Sequence, residues 1–162
     1  MAIRKIDEND LPSVVPLLKS YFPKHNRFNK PESEVIDYLK DLMHKPSYQS
    51  ISHETPMYIY EEDSKVKGFL ALVHFDGTSD GTHKVWKFKH FAFESEDIAS
   101  KLLAEAEKIA RKSSKTAKIE LTIAETEKGI KFYKSNGYKQ EGALKNHYRF
   151  GETCFILSKS FK

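Results

Sequence analysis

Few residues in this sequence have the type and spacing that catalysis requires. The seven histidines show neither HxH nor HExxH spacing, so we expect no structural or catalytic metal. Cys154 is the lone cysteine. It lies in an apolar run, where a core residue is a better interpretation than an acyl-carrying nucleophile. His90 and Glu120 remain as candidate bases, because a histidine titrates near neutrality and a carboxylate accepts protons. Either could instead be structural.

Hydrophobic periodicity predicts a mixed α/β (α+β) fold, with residues 1–162 forming a single domain. Apolar residues recur at helical spacing from Leu11 to Phe22 and again after Pro31, and we expect Pro16 to kink or delay the first helix. Val66–Phe75 is almost wholly apolar, as in a central strand covered on both faces. The predicted order is β-α-α-β-β-β-α-β-α-β-β. It gives a mixed sheet of about seven strands with helices on both faces.

The second half of the chain carries the local signals that matter most. Residues 84–93 alternate like a strand. Strict alternation divides this strand into two rows, one for each face: Trp86, Phe88 and His90, and Lys87, Lys89 and Phe91. Ser95 is a good N-cap for the next helix. Gly137 is a typical residue after the end of a helix over about 127–136, and strands at 138–148 and 154–161 follow, joined by a turn at 150–152.

The segment Gly129–Tyr138, in this order of elements, resembles the GNAT superfamily of acetyl-CoA-dependent N-acetyltransferases. It reads Gly-Ile-Lys-Phe-Tyr-Lys-Ser-Asn-Gly-Tyr and is similar to the family's Ala-Ile-x-Leu-Tyr-x-x-x-Gly-Phe. Gly142 and a closing hairpin follow at the expected distance, and the resemblance covers essentially the whole chain. It implies the GNAT fold and an acyltransferase that moves an acetyl group from acetyl-CoA, its co-substrate, to a primary amine. The acceptor would be a small molecule or a protein.

The segment that would hold the coenzyme departs from the family pattern. GNAT enzymes carry Arg/Gln-x-x-Gly-x-Gly/Ala here, and the glycines let backbone N–H groups approach the pyrophosphate at a helix N-terminus. Residues 93–103 keep the family's ending but lack the first glycine and the basic residue, and they carry Glu94, Glu96 and Asp97. The resemblance assigns coenzyme binding to nine residues: Phe91, Ala92, Phe93, Asp97, Ile98, Ala99, Ser100, Lys101 and Lys131.

The resemblance also implies a reaction by direct attack. A neutral amine attacks the thioester, whose carbonyl is polarised by backbone N–H groups near 91–93. Tyr133 matches the family tyrosine that gives a proton to the leaving thiolate. His90 and Glu120 are the candidates for the base, and a water relay without a fixed base is a third alternative. The acceptor wall is expected in the 23–56 region and just before it, from these residues: Tyr21, Phe22, His25, Arg27, Phe28 and Tyr48.

Charge and composition limit the remaining alternatives. The net charge is +4, and the excess of basic residues lies after residue 81, which suits an anionic ligand. A lone cysteine and the lack of a long apolar run favour a cytoplasmic protein without a membrane segment, either a monomer or a homodimer. One alternative is a degenerate GNAT-fold module that binds or regulates without catalysis. Another, less favoured, is a nucleic-acid binder that uses the basic and aromatic residues of 86–91.

Overall fold

The computed structural model describes residues 2–45 and 55–162, which contain seven strands and four α-helices. Their bounds are β1 Ala2–Lys5, α1 Leu11–Tyr21, α2 Glu32–His44, β2 Met57–Glu62, β3 Lys65–Gly77, β4 His83–Phe93, α3 Glu96–Ser113, β5 Thr116–Ala124, α4 Ile130–Ser135, β6 Lys139–Lys145 and β7 Thr153–Phe161. The predicted order of elements is confirmed. The predicted loop at 46–56 and the predicted wall residue Tyr48 fall largely or wholly outside the described residues.

One mixed sheet runs through the molecule in the order β1-β2-β3-β4-β5-β7-β6. Neighbouring strands are antiparallel except β4 and β5, which are parallel. Helices α1 and α2 pack on one face, and α3 and α4 pack on the other. The central strand β3 is covered on both faces, as its apolar sequence predicts. No helix within the described residues is long and apolar enough to cross a membrane.

Helix α3 approaches the sheet closely at Gly68. A Cβ atom at this position would lie 2.6 Å from the Cδ1 atom of Leu102 and 2.7 Å from the Cγ2 atom of Ile98. Only glycine leaves room for this contact. The serine cap is also present, because the Oγ atom of Ser95 accepts a hydrogen bond from the Ile98 amide. The start of α3 is therefore held directly against β3 and the end of β4.

Helix α1 begins at Leu11 and continues across Pro16, so the expected delay in its start is not observed. The missing N–H group of Pro16 would have bonded to the carbonyl of Pro12. Both prolines lie on the exposed side of the helix, where a carbonyl that loses its donor can bond to water instead. The buried stripe of the helix is therefore unaffected.

Between Phe88 and His90, strand β4 contains one extra residue relative to β3. His90 lies opposite Ala71, and Phe88 lies opposite Leu72. Lys89 is therefore the extra residue in the register and forms a β-bulge. A bulge leaves its extra residue outside the ladder and bends the strand locally.

The bulge reverses which face the following side chains occupy. Phe88 and Phe91 both belong to the core beneath α3, whereas the His90 ring packs 4.8 Å from the ring of Phe28 and 5.6 Å from that of Tyr38. The prediction that His90 shares a face with Phe88, and Phe91 the opposite face with Lys87, was wrong. Strict alternation holds only while no residue is inserted.

Helix α4 is bounded by two glycines with left-handed backbone. Gly129 precedes it with φ 102°, and Gly137 follows it with φ 88°. The amide of Tyr138 donates to the carbonyl of Tyr133, and that of Gly137 donates to Lys134, which together form a Schellman cap. The helix is shorter than predicted, but its end at Gly137 is as predicted. These two turns fix the position of Tyr133.

Candidate active site

Strands β4 and β5 pair only along their first halves. Their parallel register begins at His83 opposite Thr116 and ends at Lys87 opposite Glu120. Beyond that point β4 continues to Phe93 and β5 remains paired with β7. The sheet therefore opens into a wedge between the two strands. Some backbone N–H and C=O groups of β4 face this wedge, since successive residues of a strand point these groups to opposite edges.

A cavity of about 440 Å³ occupies the wedge. Its wall comes from both faces of the sheet, from the end of α1, from α2, from the loop before α4 and from the β6–β7 turn. The described lining residues are Tyr21, Phe22, His25, Asn26, Arg27, Tyr38, Lys87, Phe88, Lys89, His90, Phe91, Leu121, Thr122, Ile123, Glu127, Lys128, Tyr133, His147, Tyr148 and Arg149. A volume of this size is within the range of small-molecule sites.

Tyr133 projects from α4 into this cavity with its ring clamped by aromatic neighbours. Its ring centroid lies 6.0 Å from that of Phe91, 6.1 Å from Phe88 and 5.7 Å from Tyr138. The residue is only 3% exposed, and burial raises the pKa of its phenol well above the ordinary value. Its hydroxyl has no hydrogen-bond partner among the described residues. The group is therefore protonated at neutral pH and available to a ligand.

Gly129 brings α4 close to the end of α1. A Cβ atom at Gly129 would lie 3.1 Å from the hydroxyl oxygen of Tyr21 and 3.3 Å from the Cε2 atom of Tyr133. The same Tyr21 hydroxyl donates to the carbonyl of Lys128 at 3.3 Å. Close packing and a positive φ both require glycine at this position. The Gly129–Tyr138 segment thus positions the tyrosine as well as forming the helix.

His90 lies on the opposite side of the cavity in an aromatic cluster. Its Nε2 atom is 2.6 Å from the Tyr38 hydroxyl, and its ring is 5.6 Å from that of His25. Burial, followed by the nearby His25 and Lys89 charges, lowers the pKa of His90 well below its ordinary value. Burial also lowers the pKa of His25, to about 4, with further lowering by Arg149, Lys89 and Arg27. Both imidazoles are neutral at pH 7.

The charged groups of the wall are mostly positive. Five cationic side chains line the described part of the cavity, and Glu127 is the single carboxylate in that set. Burial raises the pKa of Glu127, and its Oε2 atom accepts a hydrogen bond from the Ala124 amide at 2.9 Å. One cation, Arg149, is paired with Glu152 at 2.9 Å. The cavity thus combines one proton-accepting group with a positive field.

The residues proposed from the sequence are only partly brought together. Tyr133, His90 and Phe91 line the cavity. Glu120 lies outside the lining, at the last position where β5 still pairs with β4. Lys131 is exposed on α4. Of the acceptor-wall residues, Phe28 is buried behind His90, and the others that the structure describes line the cavity.

The coenzyme segment 93–101 forms a tight turn and the first turn of α3. Phe93 packs against Tyr21 and Phe132, and Ala99 is fully buried. Lys101 binds Asp97 at 2.8 Å. The Glu94 amide is also occupied, because it donates to the carbonyl of Lys67. The first-turn amides of Glu96 and Asp97 remain as the donors that α3 can offer to an anion.

Many lining residues were not assigned to the site by the sequence analysis, and three of them are the charged residues Glu127, Lys89 and Arg149. Glu127 lies in the loop after β5, Lys89 gains its position from the bulge, and Arg149 comes from the β6–β7 turn. The only available signal was the dense charge in 125–128, directly between a strand and the glycine that begins α4. No pattern in the neighbouring sequence indicates that Lys89 or Arg149 lines a cavity.

Comparison with known protein families gives one match. A family profile described as an acetyltransferase (GNAT) domain matches residues 3–155, which is most of the chain. Among curated proteins, no significant sequence match was found.

Solved structures share the fold at low sequence identity. An aminoglycoside 6'-N-acetyltransferase complexed with coenzyme A has a TM-score of 0.73 at 15% identity, over 99% of this chain and 97% of that one. Naa50 from Arabidopsis thaliana, in complex with the bisubstrate analogue CoA-Ac-MVNAL, has a TM-score of 0.72 at 18% identity, over 99% and 98%. The aminoglycoside 6'-N-acetyltransferase from Enterococcus faecium has a TM-score of 0.70 at 15% identity, over 99% and 97%. At these identities the likeness concerns the fold.

Proposed function

Because this chain belongs to the GNAT acetyltransferase family, we propose that it transfers an acetyl group from acetyl-CoA to a primary amine in the wedge between β4 and β5. The observation that carries the proposal is the cavity at this wedge, with the hydroxyl of Tyr133 in its wall, which has no hydrogen-bond partner among the described residues. Two of the structurally similar proteins were solved with coenzyme A or a coenzyme A-containing analogue. The whole chain would act as one catalytic domain.

Acetyl-CoA would enter with its pantetheine arm between the parted strands. There the arm would continue the sheet's hydrogen bonding with the backbone groups of β4 that no longer face β5. The thioester carbonyl would meet backbone N–H groups at the bulge and beyond it, near 89–93, where the ladder with β5 has ended. Fixed N–H donors stabilise the oxyanion that develops on this carbonyl during attack.

The chemistry is direct transfer. The lone pair of the neutral amine attacks the carbonyl carbon, the C–S bond breaks, and the acetyl group remains on nitrogen. The thiolate takes a proton from the hydroxyl of Tyr133. A phenol with a raised pKa keeps its proton at neutral pH, and its burial beside Phe91 excludes competing water.

We assign removal of the amine's proton to Glu127. It is the carboxylate that lines the described cavity, and the rise in its pKa makes it a stronger base than an exposed carboxylate. Glu120 is less suited, since it lies outside the lining. His90 is also less suited, because its lowered pKa makes it a weak base and its Nε2 atom is engaged by Tyr38.

The pyrophosphate end of the site supports only moderate affinity for the coenzyme. Two first-turn amides of α3 and the helix dipole favour an anion. However, Glu94, Glu96 and Asp97 are exposed around them, and Lys101 is already bound to Asp97. These negative charges oppose the binding of a pyrophosphate. The wedge must therefore supply much of the binding free energy of the coenzyme. A cytoplasmic location is part of the proposal, because Cys154 is a buried free thiol, which a reducing compartment preserves.

Calorimetric titration with acetyl-CoA, together with a coenzyme A release assay over a panel of primary amines, tests the proposal. We expect saturable binding and amine-dependent release. Ligand at a hundredfold excess over its Kd should also stabilise the fold by about 2.7 kcal/mol. Thr122→Trp should abolish both acetyl-CoA binding and coenzyme A release, because the larger side chain would fill the wedge. Lys118→Trp, on the same face of β5 but outside the cavity lining, is the matched control.

No heat, no stabilisation and no coenzyme A release at millimolar acetyl-CoA would reject the enzyme and favour the degenerate binding module. The nucleic-acid alternative has less support, because the aromatic residues that would stack on bases are buried: Trp86, Phe88 and Phe91.

A further inference from the structure

A second, smaller pocket of about 120 Å³ adjoins the main cavity near the end of α1. Its described lining residues, which define it as the side pocket, are Tyr21, Phe22, Pro23, Lys24, His25, Thr126, Glu127, Lys128 and Arg149. All of them except Pro23, Lys24 and Thr126 also line the main cavity. Of these residues, only Glu127 has a part in the proposed chemistry.

The polar side chains around the side pocket are engaged with one another. The guanidinium of Arg149 donates to Glu152 at 2.9 Å and also to the carbonyl of Lys24. The hydroxyl of Thr126 donates to the same Glu152 carboxylate at 2.7 Å. Groups that are already hydrogen-bonded gain little from a polar ligand. The same bonds tie the β6–β7 turn to the α1–α2 connection and to the loop after β5, so the pocket keeps its size.

Apolar atoms make up most of the surface of the side pocket. Phe22 and Tyr21 contact edge to face, with ring centroids 4.7 Å apart, and Pro23 follows them in the chain. The Tyr21 hydroxyl donates to the carbonyl of Lys128, so the polar atom of this phenol already has a partner. An apolar cavity of about 150 Å³ holds a benzene ring. The side pocket therefore suits an uncharged apolar group that is slightly smaller.

Glu127 lies where the two spaces meet, because it lines both of them. Its Oε2 atom accepts from the Ala124 amide, and its Oε1 atom has no hydrogen-bond partner among the described residues. Tyr133 lines the main cavity alone. A nitrogen beside Glu127 would form its new bond towards the thioester, on the Tyr133 side. Its own carbon must leave in another direction, since the bonds of a tetrahedral nitrogen diverge, and the side pocket offers that direction.

The opposite end of the main cavity is less suited to an apolar group. There the Tyr38 hydroxyl contacts the Nε2 atom of His90 at 2.6 Å. The Cζ atom of Arg27 lies 5.2 Å from the centroid of the Tyr38 ring. An alkyl group at this end would displace water from a guanidinium without replacing its hydrogen bonds, which is unfavourable.

Resting on the proposed function, we infer that the acceptor is a primary amine with an uncharged apolar substituent of about four to six carbon atoms, which fills the side pocket while the nitrogen lies beside Glu127. The volume of the pocket limits the size of this substituent. Lys24, Lys128 and Arg149 add positive charge around it, which opposes a second ammonium group. The site therefore favours apolar monoamines over diamines and polyamines.

A series of linear primary amines from ethylamine to octylamine tests the size of the pocket. Coenzyme A release is measured at saturating acetyl-CoA. We expect kcat/KM to rise by up to about fourfold for each methylene group that enters the pocket, and to stop rising at about six carbon atoms. Efficiency that does not depend on chain length would refute the inference and leave the acetyltransferase intact.

Three amines of equal size test the polarity of the pocket. Pentylamine, 4-aminobutanol and 1,4-diaminobutane have the same number of non-hydrogen atoms and end in a methyl, a hydroxyl and an ammonium group. We expect pentylamine to exceed 1,4-diaminobutane by roughly tenfold or more in kcat/KM, because an ammonium group loses its water in an apolar pocket. The hydroxyl compound should lie between them. Equal efficiency for the methyl and ammonium compounds would overturn the inference.

Substitutions of Phe22 change the size of the pocket in opposite directions. Phe22→Leu should move the best chain length towards longer amines and Phe22→Trp towards shorter ones, with the KM of acetyl-CoA nearly unchanged. A general loss of stability would not produce opposite shifts, and Phe22→Leu alone is sufficient if Phe22→Trp does not fold. Phe150→Leu and Phe150→Trp are the matched controls, because Phe150 is exposed on the β6–β7 turn and lies outside both linings. An unchanged chain-length profile in Phe22→Leu, or an equal shift in Phe150→Leu, would contradict the inference.

Calorimetry of N-alkylacetamides, the products of the proposed reaction, into protein saturated with coenzyme A measures the side pocket without chemistry. N-pentylacetamide should bind more tightly than N-methylacetamide. This preference in a protein that releases no coenzyme A with any amine would reject the acetyltransferase and retain the apolar pocket. Equal heats from the two amides would overturn the inference, whether or not coenzyme A is released.

Discussion

Tyr133→Phe removes one hydroxyl group from the cavity and leaves the aromatic ring in place. The ring contacts with Phe88, Phe91 and Tyr138 are retained, because they involve ring carbons alone. The hydroxyl has no partner among the described residues, so its removal leaves no buried donor or acceptor unsatisfied. The free energy of unfolding should therefore change by less than about 0.5 kcal/mol.

The effect on catalysis should be far larger. Loss of a general acid lowers the rate by roughly 10²- to 10⁴-fold, which corresponds to about 3 to 5 kcal/mol of transition-state stabilisation. Since the hydroxyl acts on the thiolate only as the C–S bond breaks, kcat should fall while the Kd for acetyl-CoA stays nearly constant. Steady-state coenzyme A release, calorimetry and thermal unfolding measure the three quantities separately.

Tyr138→Phe is the matched control for this variant. Tyr138 is a buried tyrosine whose ring contacts that of Tyr133, but its hydroxyl bonds to Glu107 and it does not line the cavity. It should retain kcat and lose a little stability. Full turnover in Tyr133→Phe, or an equal loss of turnover in both variants, would refute the role of Tyr133 as proton donor.

Three further predictions concern the base, acid stability and the turn before α4. Glu127→Gln should lower kcat/KM and abolish the acidic limb of the pH–rate profile, which should lie above the ordinary carboxyl pKa. Glu120→Gln should preserve both kcat/KM and this limb. Equal pH–rate profiles for the two variants would contradict the role of Glu127 as the base. The pKa of His25 is lowered from 6.5 to about 4, so acidification through this window protonates the unfolded chain first and destabilises the fold. In urea titrations, His25→Gln should lose less stability between these pH values than the unmodified protein. An unchanged dependence of the free energy of unfolding on pH would exclude His25 as the cause. Gly129→Ala should lower the free energy of unfolding more than Gly151→Ala does. Both glycines have positive φ, which alone costs about 1 to 2 kcal/mol with a side chain, but of the two only Gly129 packs against neighbours. Equal losses of stability in the two variants would exclude the packing contribution.

Local patterns account for the elements and their order. Helical periodicity identified α1 to α3, the apolar run of 66–75 identified the central strand, and Gly137 marked the end of α4. These signals are local because a helix hydrogen-bonds and caps itself over a few residues, and because the side-chain periodicity of a helix or a strand repeats over a few residues. The Gly129–Tyr138 segment, together with the order of elements, indicated the GNAT family, whose profile matches residues 3–155.

Other features of the fold were not readable from local patterns. Pro16 has the same sequence signature whether its face is buried or exposed, and only the exposed position permits a continuous helix. No local sequence pattern predicts the bulge at Lys89 either, since it depends on the register that β4 adopts against β3. Assuming strict alternation, the sequence analysis placed His90 and Phe91 on the wrong faces.

The sequence alone therefore determined the fold class and the order of elements, and it singled out a tyrosine, Tyr133, that lines the candidate site. Tertiary structure decided what surrounds that tyrosine. Arg27, Lys89, Glu127 and Arg149 come from four separate segments, and they meet because β4 and β5 part after Lys87. The charge and the burial of residues in a cavity depend on such long-range contacts. The spacing of residues along the chain does not predict these contacts.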